Sequence, residues 1–249
     1  MRTLIDEISV LLGVSSLFLG DDISEKYYAD WSGADACAPV VLVKPNTTEQ
    51  LSQVMALCHK HDQSVVVQGG LTGLAGGATP LDGELAVSLE RMQGVEEIDP
   101  TAMTLTALAG TPLQVLQDAA NEHNLLLPLD LGARGSCQIG GNVSTNAGGT
   151  EVIRYGMTRS LVLGLEAVLA DGTVIDATNK MIKNNSGYDL KHLFIGSEGT
   201  LGIVTRVVLQ LQPKAGSSHT ALCGLNSYES ATQLLVELKR SLGSGLTGF

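Results

Sequence analysis

The sequence predicts an α+β fold, and two stretches carry that prediction. Residues 40–110 alternate short β-branched runs with a helical stretch, as a small αβ unit does. Residues 161–212 hold long apolar runs joined by a turn dipeptide, the sign of antiparallel strands. A long glycine-rich segment separates the two. The chain therefore reads as a small αβ unit followed by an antiparallel region.

Taken in order, residues 1–20 contain an apolar stretch, but Asp6 and Glu7 precede it and Arg2 is its only basic residue. That suits a secretory signal poorly. A short amphipathic helix is expected instead, with a cytoplasmic protein as the corollary. A strand at residues 40–43 precedes Pro45-Asn46-Thr47-Thr48-Glu49, where Asn46 or Thr47 caps a helix and Glu49 or Gln50 follows three residues on. Leu51, Val54, Met55 and Cys58 then recur at helical spacing and form one buried face. Val65-Val66-Val67 is a strand that runs into a glycine loop. Strands at 85–89 and 103–108 lead to a second helix, begun by Thr111-Pro112 with Gln114 in the capping-box position. Runs at 161–170 and 173–175 are joined by Asp171-Gly172, a hairpin turn in which both residues want positive φ. Another long strand covers 202–212. Residues 213–218 read as a boundary, and the helix at 227–241 is too short to be a domain of its own.

The composition narrows the function. The chain has 249 residues, 44% of them hydrophobic, and a formal charge of -11. That length buries a full core, and no apolar run reaches the eighteen or so residues of a membrane span. The acidic balance repels phosphate backbones and argues against nucleic acid as a partner. A phosphate-bearing ligand must then be held by local backbone dipoles. Cys37, Cys58, Cys137 and Cys223 show no metal-finger spacing and read as inert thiols, while His59 and His61 read as solvated.

The first glycine loop is Gln68-Gly69-Gly70-Leu71-Thr72-Gly73-Leu74-Ala75-Gly76-Gly77-Ala78. It has neither the GxGxxG dinucleotide fingerprint nor the Lys of a Walker A loop. Glycines at this density let successive N–H groups point into one concavity, a nest for an anion such as a diphosphate. On density alone, turning the chain after a strand is an equally good reading. A second segment, residues 128–149, mixes paired glycines with Ser, Thr and Asn, and a third, residues 195–205, opens the last long strand. Three such segments suit a long ligand that crosses several loops.

The ordered set QGGLTGLAGG, PLDLGARGSCQIGGNVSTNAGG, RYG, LGLEAVLADGTVID and GYDLKHLFIGSEGTLGIVT resembles the FAD-binding domain of the vanillyl-alcohol oxidase superfamily, the FAD-linked oxidases. Within that superfamily the resemblance is to the D-2-hydroxyglutarate and D-lactate dehydrogenase branch, from about Ala38 to Pro213. It implies the PCMH-type FAD-binding fold of two αβ subdomains with a mixed and an antiparallel sheet, with residues 1–215 as the FAD-binding domain (subdomains of about 1–110 and 111–215) and 216–249 as the start of a truncated substrate domain. It also implies site residues. Gly69, Gly70, Leu71, Thr72 and Gly73, with Gly77 and Ala78, would cradle the FAD pyrophosphate. Ser136, Gly140, Gly141, Asn142, Thr145, Asn146, Gly148 and Gly149 would line the flavin and its ribityl chain. Ile203 and Val204 would meet the adenosine half through their backbone. Asp130 and Glu198 are expected to serve turns or caps rather than proton transfer. Arg134 is left between diphosphate and solvent, and Tyr155 between flavin and core.

The implied activity is an FAD-dependent dehydrogenase that takes hydride from C2 of a D-2-hydroxy acid, gives the 2-oxo acid, and passes electrons to an electron-transfer protein or quinone. Relatives of this branch place their substrate ligands, metal-binding cluster and catalytic His in a second half, so no catalytic or metal residue is expected among these 249. Two readings stay open: part of a dehydrogenase, or a non-catalytic flavin-binding subunit of a complex. The FAD is expected to be non-covalent, since Leu71 stands where covalent relatives carry a His. A homo-oligomer is also expected.

Overall fold

The computed structural model describes residues 2–249, and two sheets organise it. The first contains β1 (Leu17–Phe18), β2 (Val41–Val43), β3 (Val65–Gln68) and β4 (Leu85–Ser88) in the order β1-β2-β4-β3. β4 is parallel to β2 and β3, while β1 is antiparallel to β2, so this sheet is mixed. The second contains β5 (Val95–Asp99), β6 (Thr104–Leu108), β8 (Val162–Val168), β9 (Val174–Ala177) and β10 (Ile203–Gln210), all antiparallel, in the order β5-β6-β10-β8-β9. A two-stranded patch joins β7 (Leu125–Leu126) to β11 (Gln212–Pro213).

The helices are α1 (Arg2–Leu12), α2 (Thr48–Lys60), α3 (Leu113–Glu122), α4 (Ile139–Ser144), α5 (Val152–Tyr155), α6 (Thr158–Leu161), α7 (Lys191–Phe194) and α8 (Tyr228–Leu242). Leu4, Ile8 and Leu12 put one stripe of α1 in the core, and Leu51, Val54, Met55 and Cys58 do the same for α2. These residues share a continuous core with Val41 and Val43 of the first sheet and with Leu105, Leu165 and Val207 of the second. Each such side chain contributes about 1.5–3 kcal/mol when fully buried. The first sheet is covered on both faces, because Leu42, Val66 and Ala86 turn to a separate cluster with Ile23 and Tyr27. That is why its strands are continuously apolar. Among the described residues, no helix is long and apolar enough to cross a membrane.

Thr47 caps α2 by accepting from the Gln50 N–H, and the Gln50 side chain returns to the Asn46 N–H at 2.8 Å. The capping box expected at Thr111 and Gln114 does not form. Thr111 Oγ1 is drawn back to the Leu108 carbonyl at 2.6 Å, and Gln114 bonds Asp118 one turn on. The β8–β9 turn also differs from expectation, since only Gly172 has positive φ. Gly172 N–H donates to the Leu169 carbonyl and Leu169 N–H to the Thr173 carbonyl, which makes a type I turn closed by a left-handed glycine. Asp171 instead accepts from the Thr173 N–H through its side chain. The sheets divide between β4 and β5, not near residue 110. β6 pairs with β10, about a hundred residues away, and no local pattern announces that partner.

Candidate cofactor groove

Three loops meet at the ends of β3, α4 and β10. Gly70 lies so close to the second loop that a Cβ there would sit 2.1 Å from the Ser136 carbonyl oxygen, a contact only glycine permits. The third loop is bonded to α4 through Gly196 N–H to the Val143 carbonyl and Glu198 N–H to the Ser144 carbonyl. It also reaches the first loop, for the Glu198 carboxylate lies 3.3 Å from the position of a Cβ on Gly77. The glycine helix α4 forms because packing overrides propensity: Gly140 fits against Ala109, where a Cβ would be 2.7 Å from the alanine methyl.

The loops carry both free donors and free acceptors. Among the described residues, the backbone N–H groups from Leu71 to Gly77 find no acceptor in the protein. Leu71 holds φ at 58°, the left-handed conformation that aims successive N–H groups into a nest. Three buried side-chain oxygens lack a donor: Gln68 Oε1, Gln138 Oε1 and Asn142 Oδ1. The Gln68 amide nitrogen donates to the Tyr27 and Ala78 carbonyls at 2.8 and 2.9 Å, which fixes the orphan as the oxygen. An unsatisfied buried acceptor costs about 1–3 kcal/mol, so each of the three asks for a ligand or ordered water.

Asp30 stands at the rim of the first loop, with Oδ2 3.5 Å from the position of a Cβ on Gly73. Burial would raise its pKa, but hydrogen bonds from Ser32, Ala78 and Thr79 prevail and hold it below the usual value.

Each residue named from sequence can now be placed. Gly69, Gly70, Leu71, Thr72 and Ala78 are half-buried along the first loop, with Gly73 and Gly77 exposed. Gly140 and Asn142 are buried in α4, Gly141 is half-buried there, and Ser136 is exposed before it. Thr145 Oγ1 is bound to the Gly141 carbonyl and Asn146 Oδ1 accepts from the Arg159 N–H, so both side chains already serve the fold. Gly148 is half-buried and Gly149 exposed at the end of the second loop. The side chains of Ile203 and Val204 are sealed in the core of β10, leaving only backbone to meet a ligand. Asp130 and Arg134 pair with each other, Glu198 takes a left-handed turn at φ 52°, and Tyr155 packs against the core. His61 binds Glu7 at 3.0 Å. Burial raises the Cys58 thiol to about 11, and among the described residues no group of three His, Cys, Asp or Glu is arranged for a metal. Gln68, Gln138 and Asp30 are site residues that the sequence reading passed over. The local hint was a glutamine just before each of two glycine pairs, Gln68 adjoining Gly69-Gly70 and Gln138 one residue ahead of Gly140-Gly141.

Beside the third loop lies a cavity of about 770 Å³, lined by Arg159, Asn179, Asn184, Tyr188, Lys191 and His192. Its cations are engaged, Arg159 on the His192 and Ile195 carbonyls and Lys191 on Asp189.

Residues 39–178 match the family described as FAD binding domain. A probable mitochondrial D-2-hydroxyglutarate dehydrogenase of Oryza sativa subsp. indica is 44% identical over 239 residues, covering 96% of this chain and 43% of that protein. The mitochondrial D-2-hydroxyglutarate dehydrogenase of Arabidopsis thaliana is 43% identical over the same coverage. A solved structure of alkyldihydroxyacetonephosphate synthase shares the fold with a TM-score of 0.80 at 20% identity, covering 97% of this chain and 46% of that one. The chain thus spans less than half the length of the curated relatives it matches. Relatives named as mitochondrial overturn the cytoplasmic expectation. That expectation rested on an N-terminal helix whose apolar stripe, Leu4, Ile8 and Leu12, is a piece of the core. The groove fits FAD: the free N–H row of the first loop suits a diphosphate, and the orphan amide oxygens suit its uncharged hydroxyl and imide donors.

Proposed function

Because this chain belongs to the FAD-binding domain family, we propose that it is the flavin-holding part of a dehydrogenase of D-2-hydroxy acids, D-2-hydroxyglutarate first and D-lactate second. The observation that carries the reading is the set of loops itself, with seven unpaired N–H groups and three unpaired amide oxygens, in a chain similar to D-2-hydroxyglutarate dehydrogenases. When bound, FAD supplies the two-electron acceptor for hydride from C2 of the substrate. The residues of this chain bind and orient it. Leu71 to Gly77 hold the diphosphate without side-chain charge, as a net charge of -11 requires. Gly140 and Gly149 pack tightly on Ala109 and on the backbone of Asp130, while Gly141 has open space beside it for the ligand.

Residues 216–249 are the start of a second domain that bears the substrate ligands and the base, and the electrons pass to a protein or quinone acceptor. Exposed apolar side chains on α8 favour a homo-oligomer. The test uses protein purified from its source. FAD, and not FMN or NAD, should co-purify and stay in the supernatant after acid precipitation. Under anaerobic conditions D-2-hydroxyglutarate should bleach the flavin absorbance and the L-isomer should not. Bleaching by neither isomer would remove the hydroxy-acid assignment.

A further inference from the structure

Among the three orphan acceptors of the groove, Gln138 lies between two loops: it is 8% exposed and its Oε1 has no partner. That oxygen lies 3.5 Å from the position of a Cβ on Gly69, at the seam between the first and second loops. Any ligand bridging the two loops must cross this seam. Gln138 is the N-cap of α4 and its carbonyl accepts from the Asn142 N–H one turn on. Each of the two side chains carries a buried oxygen without a donor. Two buried acceptors without a donor repel phosphate oxygens and call for neutral O–H or N–H groups from the ligand. The free N–H row of the first loop, suited to the diphosphate, begins two residues beyond Gly69. The parts of FAD that flank its diphosphate are polyols: the ribityl chain on one side and the ribose on the other.

We infer that Gln138 is a positioning residue that, together with Asn142, accepts a hydrogen bond from a sugar-type hydroxyl of FAD beside its diphosphate. This rests on the FAD reading above. In the apo protein the unpaired oxygen is a liability, and bound FAD relieves it. Gln138 therefore acts in the opposite sense to a residue that merely supports the fold.

The experiment titrates the full chain and its Gln138→Met variant with FAD, following flavin fluorescence, and records thermal melting of both without FAD. Methionine keeps the length and apolar stem while removing the acceptor. The expected result is an apo melting temperature equal to or above wild type, together with FAD affinity weaker by about tenfold, the worth of one such bond with its desolvation. FAD analogues lacking one ribityl hydroxyl, and one lacking the ribose 2′-hydroxyl, locate the donor. The analogue missing the partner hydroxyl should bind wild type more weakly but bind the variant no worse than FAD does. Unchanged FAD affinity in Gln138→Met, a melting temperature that falls, or losses that add in full for every analogue would each overturn the inference. A wild-type chain that binds no FAD would instead overturn the FAD reading itself.

Discussion

Two glycines of the first loop, three residues apart, constrain the protein in different ways. Gly70 is needed by the fold, since any side chain would drive a carbon into the Ser136 carbonyl at 2.1 Å and the Cys137 Cα at 2.8 Å, both backbone and unable to yield. Gly73 is exposed, has ordinary φ, and its nearest neighbour is the Asp30 carboxylate at 3.5 Å. A side chain there would fill the mouth of the nest without disturbing the apo chain. Gly70→Ala should therefore lose about 1–3 kcal/mol of stability by overpacking, read as a lower urea midpoint with no FAD present. Gly73→Val should keep the wild-type midpoint and lose FAD. Normal flavin occupancy in folded Gly73→Val protein would show that the diphosphate lies elsewhere.

At the scale of the element, one carboxylate ties the end of β4 to the segment between β1 and β2. Glu90, two residues past β4, takes the Tyr27 hydroxyl at 2.7 Å, Lys44 at 2.8 Å and Lys26 at 3.2 Å. Lys44 also lies over the rings of Phe18 and Tyr27. Burial would raise the Glu90 pKa, but the three donors outweigh it and hold the group at about 2. A folded-state pKa below the unfolded value stabilises the protein above the unfolded pKa of about 4.5, and that stability drains as pH falls toward 2. With allowance for solvent screening, Glu90→Gln should cost about 1–2 kcal/mol at pH 7. The gap to wild type should narrow between pH 4.5 and 2. Urea titrations of both proteins across that range measure it, and a gap independent of pH would mean that packing, not charge, accounts for the loss.

For the molecule as a whole, the groove holds what a cofactor needs and little that a substrate needs. The cations of the neighbouring cavity are engaged by the fold, and α8 has no buried residue although Leu234, Leu235 and Leu238 form an apolar stripe. Positioning a C–H over a flavin and removing the hydroxyl proton account for many orders of magnitude in rate. The 249-residue chain, loaded with FAD and kept from any partner, should therefore show no rapid bleaching with D-2-hydroxyglutarate or D-lactate in an anaerobic cuvette. Rapid bleaching with either acid would place a complete active site within these residues.

What could be read along the chain was whatever is written locally. The periodicity of Leu51, Val54, Met55 and Cys58 foretold α2 and its buried face, Thr47 its cap, and Ser227 the start of α8. The ordered glycine motifs were enough for the family, because a loop that lets backbone approach a phosphate must spell out its glycines in sequence. Tertiary structure alone decided the rest. Only folding shows that β5 and β6 leave the first unit to join β10, that Thr111 bonds backward instead of capping α3, and that glycine-rich residues 139–144 are helical. The free acceptors of the groove were hidden for the same reason. A glutamine's letter does not say whether its oxygen will find a donor, and Gln68 and Gln138 become site residues only when strand pairing and loop packing bury them with that oxygen unsatisfied. Local propensity depends on neighbours in sequence, whereas burial and hydrogen-bond satisfaction depend on neighbours in space.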